Sequence, residues 1–252
     1  MPSHLLRRVM VLAVVLFSVP AFAQDVAEPP AKVKKKATRP APVQRSREYK
    51  GREIAETMSY LGADWLIRES RVEEERPEEM LDSLKIKPGD VVADVGAGVG
   101  YTSLKLSRRV GPTGKVLATD IQPEMIRMLK ANMQTFKVKN VVPLLATQND
   151  TKLPEGKVDL VIMVDVYHEC SDPEALLQGI RKALKPGGRL VLVEYKGEDP
   201  LVPIKPEHKM TTAQARKEVE PQGFAFKEVL DFLPWQHILI FERPADEKPA
   251  AE

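Results

Sequence analysis

Cysteine is almost absent: Cys170 is the single one in 252 residues, so no internal disulfide can form and the fold must rest on its hydrophobic core. Without a cysteine pair, and with four histidines (His4, His168, His208 and His237) far apart along the chain, no metal site is expected. Charge of one sign is not in excess either, since 38 basic and 36 acidic side chains leave a formal net charge of +2. That near balance argues against a dedicated nucleic-acid binder, and no nucleic-acid partner is expected. Long hydrophobic runs are missing too: the run from Val9 to Val19 is about half of the ~20 residues that span a bilayer. What the chain does have is 43% hydrophobic content and the length for one large α/β domain or two small ones.

The early apolar run reads as an export signal over residues 1–23. Arg7 and Arg8 precede it, and Ala21-Phe22-Ala23 offers a cleavage site, so the mature chain would start at Gln24 and be exported, periplasmic or secreted. An uncleaved membrane anchor is the alternative. Leu6-Arg7-Arg8-Val9-Met10 weakly resembles a twin-arginine export signal, without the usual polar residue ahead of the pair. Residues 24–47, rich in Pro, Ala and Lys, read as a disordered basic linker, either a plain spacer or a tether to anionic lipid or cell-wall polymer. Residues 48–79 read as a helical segment, because Ile54, Met58 and Leu61 recur at helical spacing and Gly62 suits a break. It packs on the main domain or forms a lid that turns Tyr60, Trp65 and Arg68 toward a substrate.

From residue 80 to 244 strands and helices alternate. Val91–Val95, Lys115–Thr119, Val141–Leu145, Asp159–Val164 and Arg189–Tyr195 are continuous apolar runs, which is the pattern of parallel strands covered on both faces. Phe224–Phe232 and Trp235–Phe241 are separated only by Leu233-Pro234, too tight for a parallel crossover, so they form an antiparallel hairpin. The expected fold is α/β: a Rossmann-like, doubly wound, mostly parallel seven-stranded sheet with a C-terminal antiparallel hairpin. Residues 245–252 read as a disordered polar tail.

The first strand breaks over Asp94-Val95-Gly96-Ala97-Gly98-Val99-Gly100. A dinucleotide fingerprint needs a third glycine where Tyr101 stands, which counts against a nicotinamide oxidoreductase. A carboxylate at Asp94 is poorly placed for a pyrophosphate and suits an ammonium or sulfonium group, so the stretch points to a cationic nucleoside cofactor. Asp120 ends the second strand, Asp165 ends the fourth, and Leu184-Lys185-Pro186-Gly187-Gly188-Arg189-Leu190 turns into the fifth. In that order, with the closing hairpin, these motifs resemble the class I S-adenosylmethionine-dependent methyltransferases over Met80 to Arg243. The resemblance implies S-adenosyl-L-methionine as cofactor, lying against Gly96, Ala97, Gly98 and Gly100, with Asp94 and Asp165 close by. It implies that Asp120 accepts hydrogen bonds from the ribose hydroxyls and that Ile121 packs on the adenine. The adenine amino group is implied to meet either Asn149 or Asp150, counted back from Leu153-Pro154.

Methyl transfer is an in-line displacement that needs alignment and, for a hydroxyl or ammonium acceptor, a base. By the same resemblance the loop Asp165-Val166-Tyr167-His168-Glu169 faces the transferred methyl group. His168 is the best base by intrinsic pKa, and Tyr167 or Glu169 would orient the acceptor. The plainer reading of His168 is a loop residue hydrogen-bonded near the next helix. The loop lacks an Asn/Asp-Pro-Pro-Tyr sequence for amino methylation of bases, Cys170 lacks a Pro-Cys setting, and one cysteine excludes a multi-thiol arsenical site. The expected function is methyl transfer to a small molecule or an envelope component; the alternative is a catalytically silent cofactor-binding module.

Overall fold

Apolar side chains on both sides of the central strands decide where the sheet lies. The structure, a computed structural model, describes residues 47–245. The expected signal, nearly all of the linker and nearly all of the tail lie outside the described residues.

Described elements begin with β1 (Glu48–Tyr49) and β2 (Arg52–Glu53), a small hairpin whose turn residues Lys50 and Gly51 both have positive φ, as a two-residue turn of this twist requires. A 3-10 helix over Tyr60–Ile67 follows, then α1 (Arg71–Glu75) and α2 (Pro77–Ser83). The helical segment expected over residues 48–79 is therefore broken into a hairpin, an irregular strap, a 3-10 helix, the short helix α1 and the start of α2. Ile54, Met58 and Leu61 share helical spacing, but hydrogen bonds of this strap to the main domain replace those of a helix, as described below.

The sheet is built from β3 (Val91–Val95), β4 (Lys115–Asp120), β5 (Val141–Leu145), β6 (Val158–Val164), β7 (Leu184–Lys196), β9 (Ala225–Leu230) and β10 (Gln236–Glu242), in the order β5-β4-β3-β6-β7-β10-β9. A two-residue strand, β8 (Lys209–Met210), pairs in parallel with the end of β7 and makes an eighth. The first five strands are parallel, and β10 runs antiparallel between β7 and β9. This is the Rossmann-like arrangement that the alternation of elements predicts. β7 starts at Leu184, before the Lys185–Gly188 turn expected to precede it, and an irregularity in its pairing with β6 absorbs those residues.

Helices α3 (Tyr101–Val110) and α4 (Pro123–Thr135) cover one face, and α5 (Pro173–Ala183) and α6 (Thr212–Val219) the other. Alternate residues serve the two layers: Val92, Leu160, Ile162 and Val191 pack with Leu81, Leu106 and Leu129, while Ala93, Val161, Met163 and Leu190 pack with Leu177, Ile180 and Val219. Each fully buried aliphatic side chain contributes roughly 1.5–3 kcal/mol, which explains why these strands do not alternate with polar residues. Asp172 caps α5 by accepting a hydrogen bond from the Ala175 amide at 3.2 Å, and Pro173 takes the first helical position. Among the described residues no helix is long and apolar enough to cross a membrane.

Candidate active site

In a doubly wound sheet the ligand crevice opens at the carboxyl ends of the strands where strand order reverses. Here that place lies between β3 and β6, and a cavity of about 410 Å³ occupies it. The chain after each strand supplies its wall: Gly96 and Gly98 after β3, Asp120 and Ile121 at the end of β4, Thr147 and Gln148 after β5, Asp165, His168 and Glu169 after β6.

At the nucleoside end, the Gly96 and Gly98 backbones have positive φ, and a side chain there has no room: an added Cβ would lie 2.5 Å from Val166 Cγ2 at Gly96 and 2.6 Å from Leu66 Cδ1 at Gly98. Asp120 is buried, and its carboxylate accepts hydrogen bonds from the Gly98 amide at 2.9 Å and the Gln122 amide at 2.8 Å. One bond falls on each oxygen, so each retains acceptor capacity for a hydroxyl. Burial raises the pKa of Asp120 while the backbone amides of Gln122, Gly98 and Ile121 oppose that. Gly100 plays a different part from its neighbours, capping α3 and packing on Leu129 away from the cavity.

Three expected contacts fall elsewhere. Thr147 to Asp150 close a tight, exposed turn in which Asn149 and Asp150 do not line the cavity, and the Asp150 carboxylate pairs with Lys152. Thr147 and Gln148 line the cavity in their place, two positions earlier than the count from Leu153-Pro154 suggests. Asp94 and Ala97 line an adjoining small void of about 30 Å³, with Tyr101, that shares Gly96, Leu66, Arg71 and Val164 with the main cavity. The Asp94 carboxylate accepts a 2.5 Å hydrogen bond from Ser103 in the first turn of α3, so it anchors that helix from below.

Burial pushes Asp94 up to about 6, against an ordinary value of 3.8. A carboxyl whose folded pKa is raised favours the fold below about pH 4 and loses that favour as pH rises through 6, a difference of roughly 3 kcal/mol. Asp94→Asn should therefore gain stability relative to the parent chain as pH rises from 4 to 8. Urea unfolding at both pH values checks this, and an equal effect at both would contradict it.

The opposite end of the cavity is polar. His168 is buried, its Nδ1 lies 2.6 Å from Glu194 Oε2 and its Nε2 lies 3.1 Å from Nδ1 of His208. Both ring nitrogens are thus engaged. Burial works against the charged ring, but Glu194, Glu169 and Asp165 outweigh it and raise the pKa of His168. His208 moves the other way, lowered by burial and by the neighbouring His168. Burial pushes Glu169 up to about 7. Expected as the base, His168 is instead the middle member of a Glu194–His168–His208 chain, and His208 is its more exposed end.

Tyr167 does not face the cavity. Its ring is fully buried on the other side of the loop, its hydroxyl donates to Glu218 at 2.9 Å, and Arg52 stacks over it while pairing with the same Glu218. It fixes the loop and does not orient an acceptor. Cys170 lines the cavity, and burial pushes its thiol up to about 11, so it is an unreactive thiol at neutral pH.

Sequence reasoning missed Glu194 and His208. Glu194 is the one carboxylate within the apolar run of β7, and it is fully buried. His208 ends a 3-10 turn (Pro206–His208) immediately before β8, and the pairing of β8 with Tyr195 and Lys196 carries it to the cavity.

The strap over residues 54–60 closes the cavity from above. The Met58 amide donates to Glu169 Oε1 at 3.3 Å, Gln122 Nε2 donates to the Met58 carbonyl at 2.9 Å, and the Tyr60 amide donates to Gln122 Oε1 at 2.8 Å. Trp65 and Arg68 line the cavity as a lid would require, while Tyr60 is exposed and does not. Arg68 and Arg71 are held by Glu75, whose carboxylate also accepts from Tyr195 at 3.3 Å. Asp165, at positive φ, accepts from Gln236 at 2.7 and 2.9 Å, and burial together with Glu75 and Glu194 holds its pKa well above the usual range.

The described geometry agrees with comparison to known proteins. A family model described as "Methyltransferase domain" matches residues 86–235. The chain belongs to that family. Among solved structures, a SAM-dependent methyltransferase from Aquifex aeolicus superposes with a TM-score of 0.71 and 28% identity, covering 74% of this chain and all of that one. A putative type 11 methyltransferase from Sulfolobus solfataricus (TM-score 0.57, 20% identity, covering 69% of this chain and 96% of that one) shares the fold. Among curated relatives, the ubiquinone/menaquinone biosynthesis C-methyltransferase UbiE of Pasteurella multocida is 32% identical over 127 residues, 49% of this chain and 47% of that protein. The chain spans about half the length of the curated relatives it matches. The chain carries a methyltransferase domain, and family and fold imply S-adenosylmethionine as its cofactor. The residues fit it: side-chain-free backbone at Gly96 and Gly98, a buried acceptor at Asp120, apolar Ile121, and a cavity in the range that takes a nucleoside ligand.

Proposed function

We propose that the enzyme methylates a small organic acceptor carrying an ionisable hydroxyl, bound at the His168–Glu169–His208 end of the cavity. The observation that carries this reading is that one continuous cavity joins a nucleoside-type end, built on Asp120 and the glycine loop, to a buried polar cluster with a half-buried histidine. S-adenosylmethionine supplies an electrophilic methyl group when bound. Asp120 takes the ribose, Ile121 the adenine face, and Thr147 or Gln148 the adenine edge. The acceptor lies against His208 and Glu169, and its hydroxyl proton leaves toward that cluster, with Glu194 and His168 keeping the ring of His208 oriented. Met58, Trp65 and Leu66 exclude water from above. The relatives named as C-methyltransferases of quinone biosynthesis support an acceptor of this type, since an ionised ring hydroxyl activates either its oxygen or its neighbouring carbon.

We further propose that the enzyme acts outside the cytoplasm on an envelope component, on the strength of Arg7, Arg8 and the apolar run that follows. Incubation of the purified protein with methyl-labelled S-adenosylmethionine and fractionated cell extract tests both readings. Label entering a low-mass envelope fraction is the expected result. Cofactor binding without transfer to any fraction would refute the assigned acceptor class.

A further inference from the structure

The polar end of the cavity has the donor set of a metal centre. We infer that His168, His208 and Glu169 bind a single divalent transition-metal ion of the zinc class. Among the described residues, one nitrogen of each histidine and one oxygen of Glu169 lie within 4.8 Å of one another. Nε2 of His168 and Nδ1 of His208 are 3.1 Å apart. Two nitrogens bound to one ion at about 2.1 Å stand roughly 3.0–3.4 Å from each other, between right-angled and tetrahedral geometry. The spacing of the two rings is already that of ligands.

Orientation supports the assignment independently. Nδ1 of His168 lies 2.6 Å from Glu194 Oε2, so the ring is held with its other nitrogen, Nε2, turned to His208 and the cluster. A buried carboxylate behind a ligating imidazole is the usual outer partner of a metal-bound histidine. The same Glu194 accepts from the Tyr167 amide at 2.9 Å, so its own position is fixed. Glu169 is restrained by the Met58 amide. Two imidazoles and one carboxylate are the ligands of zinc hydrolases and of non-haem iron centres, and both leave positions open to a substrate. His168, Glu169 and His208 all line the cavity, so an ion held there would be open to a ligand bound in it. The ion's part in catalysis rests on the function proposed above: it would take the acceptor oxygen as a further ligand and lower its pKa. Metal binding itself does not depend on that reading.

The test uses untagged protein stripped with a chelator and titrated with Co²⁺, followed by displacement with Zn²⁺. One Co²⁺ per chain with the intense visible absorption of a four- or five-coordinate site is expected. His208→Ala and Glu169→Gln should each weaken binding roughly 100-fold or more, and Glu194→Gln about 10- to 100-fold. Parent-like affinity of these variants for S-adenosylmethionine shows that the fold is intact. The weak spectrum of the hydrated ion with the parent chain, or equal affinity in His208→Ala, would overturn the inference. Failure of the parent chain to take up Co²⁺, with cofactor binding and methyl transfer persisting in the stripped protein, rejects the metal site and leaves the methyltransferase reading standing. Stoichiometric metal binding without transfer to any extract fraction supports the metal site and rejects the proposed acceptor.

Discussion

Replacing His208 with alanine is expected to lower methyl transfer roughly 10²- to 10⁴-fold while leaving the affinity for S-adenosylmethionine unchanged. His208 is half-buried at the polar end of the cavity, and Asp120, Gly98 and Ile121, to which the cofactor is assigned by the proposed function, belong to other loops, so the two readouts separate. The same logic makes His168→Ala the less informative variant. Removing that ring leaves the fully buried Glu194 with only the Tyr167 amide on its other oxygen, and loss of a buried ion-pair partner costs about 3–5 kcal/mol. His168→Ala should therefore unfold at lower denaturant concentration, whereas His208→Ala should not. Equal stability of the two variants would show that the Glu194–His168 pair does not hold the loop, and parent-like turnover of His208→Ala would remove the histidine from the mechanism.

Replacing Asp120 with alanine is expected to weaken cofactor binding about 100-fold or more by calorimetry. Two hydrogen bonds to an ionised carboxylate contribute roughly 1.5–3 kcal/mol each, and 1.4 kcal/mol is a factor of ten. The variant also strands the Gly98 and Gln122 amides that the carboxylate now accepts from, at 2.9 and 2.8 Å, which loosens the glycine loop itself. Asp120→Asn keeps one carbonyl acceptor and should fall between the parent and alanine. Unchanged affinity in Asp120→Ala would refute the assignment of this end of the cavity to the nucleoside.

The two ends of the cavity differ in how much of them is written locally. The end assigned to the nucleoside could be placed from the sequence because each of its parts follows directly from the end of a strand: Gly96 and Gly98 after Val95, and Asp120 with Ile121 at the end of β4. Parallel pairing brings strand ends to one edge, so motifs far apart in sequence meet by virtue of the fold class alone. Finer placement was not legible. Asn149 and Asp150 lie off the cavity in the Thr147–Asp150 turn, and the Asp94 carboxylate is bonded to Ser103, because a few hydrogen bonds decide which of several adjacent side chains lines the cavity.

By itself, then, the sequence determined the doubly wound sheet, its closing hairpin and the cofactor class, since apolar runs, glycine spacing and terminal carboxylates act over a few residues. Tertiary structure decided the chemistry at the other end. His168 and Glu194 are 26 residues apart, and His168 and His208 are 40 apart. They meet only because β7 lies beside β6 and because β8 pairs with the end of β7. No local pattern encodes that meeting: a histidine read alone carries only its intrinsic pKa, whereas its role is set by what burial and pairing place against each of its two nitrogens.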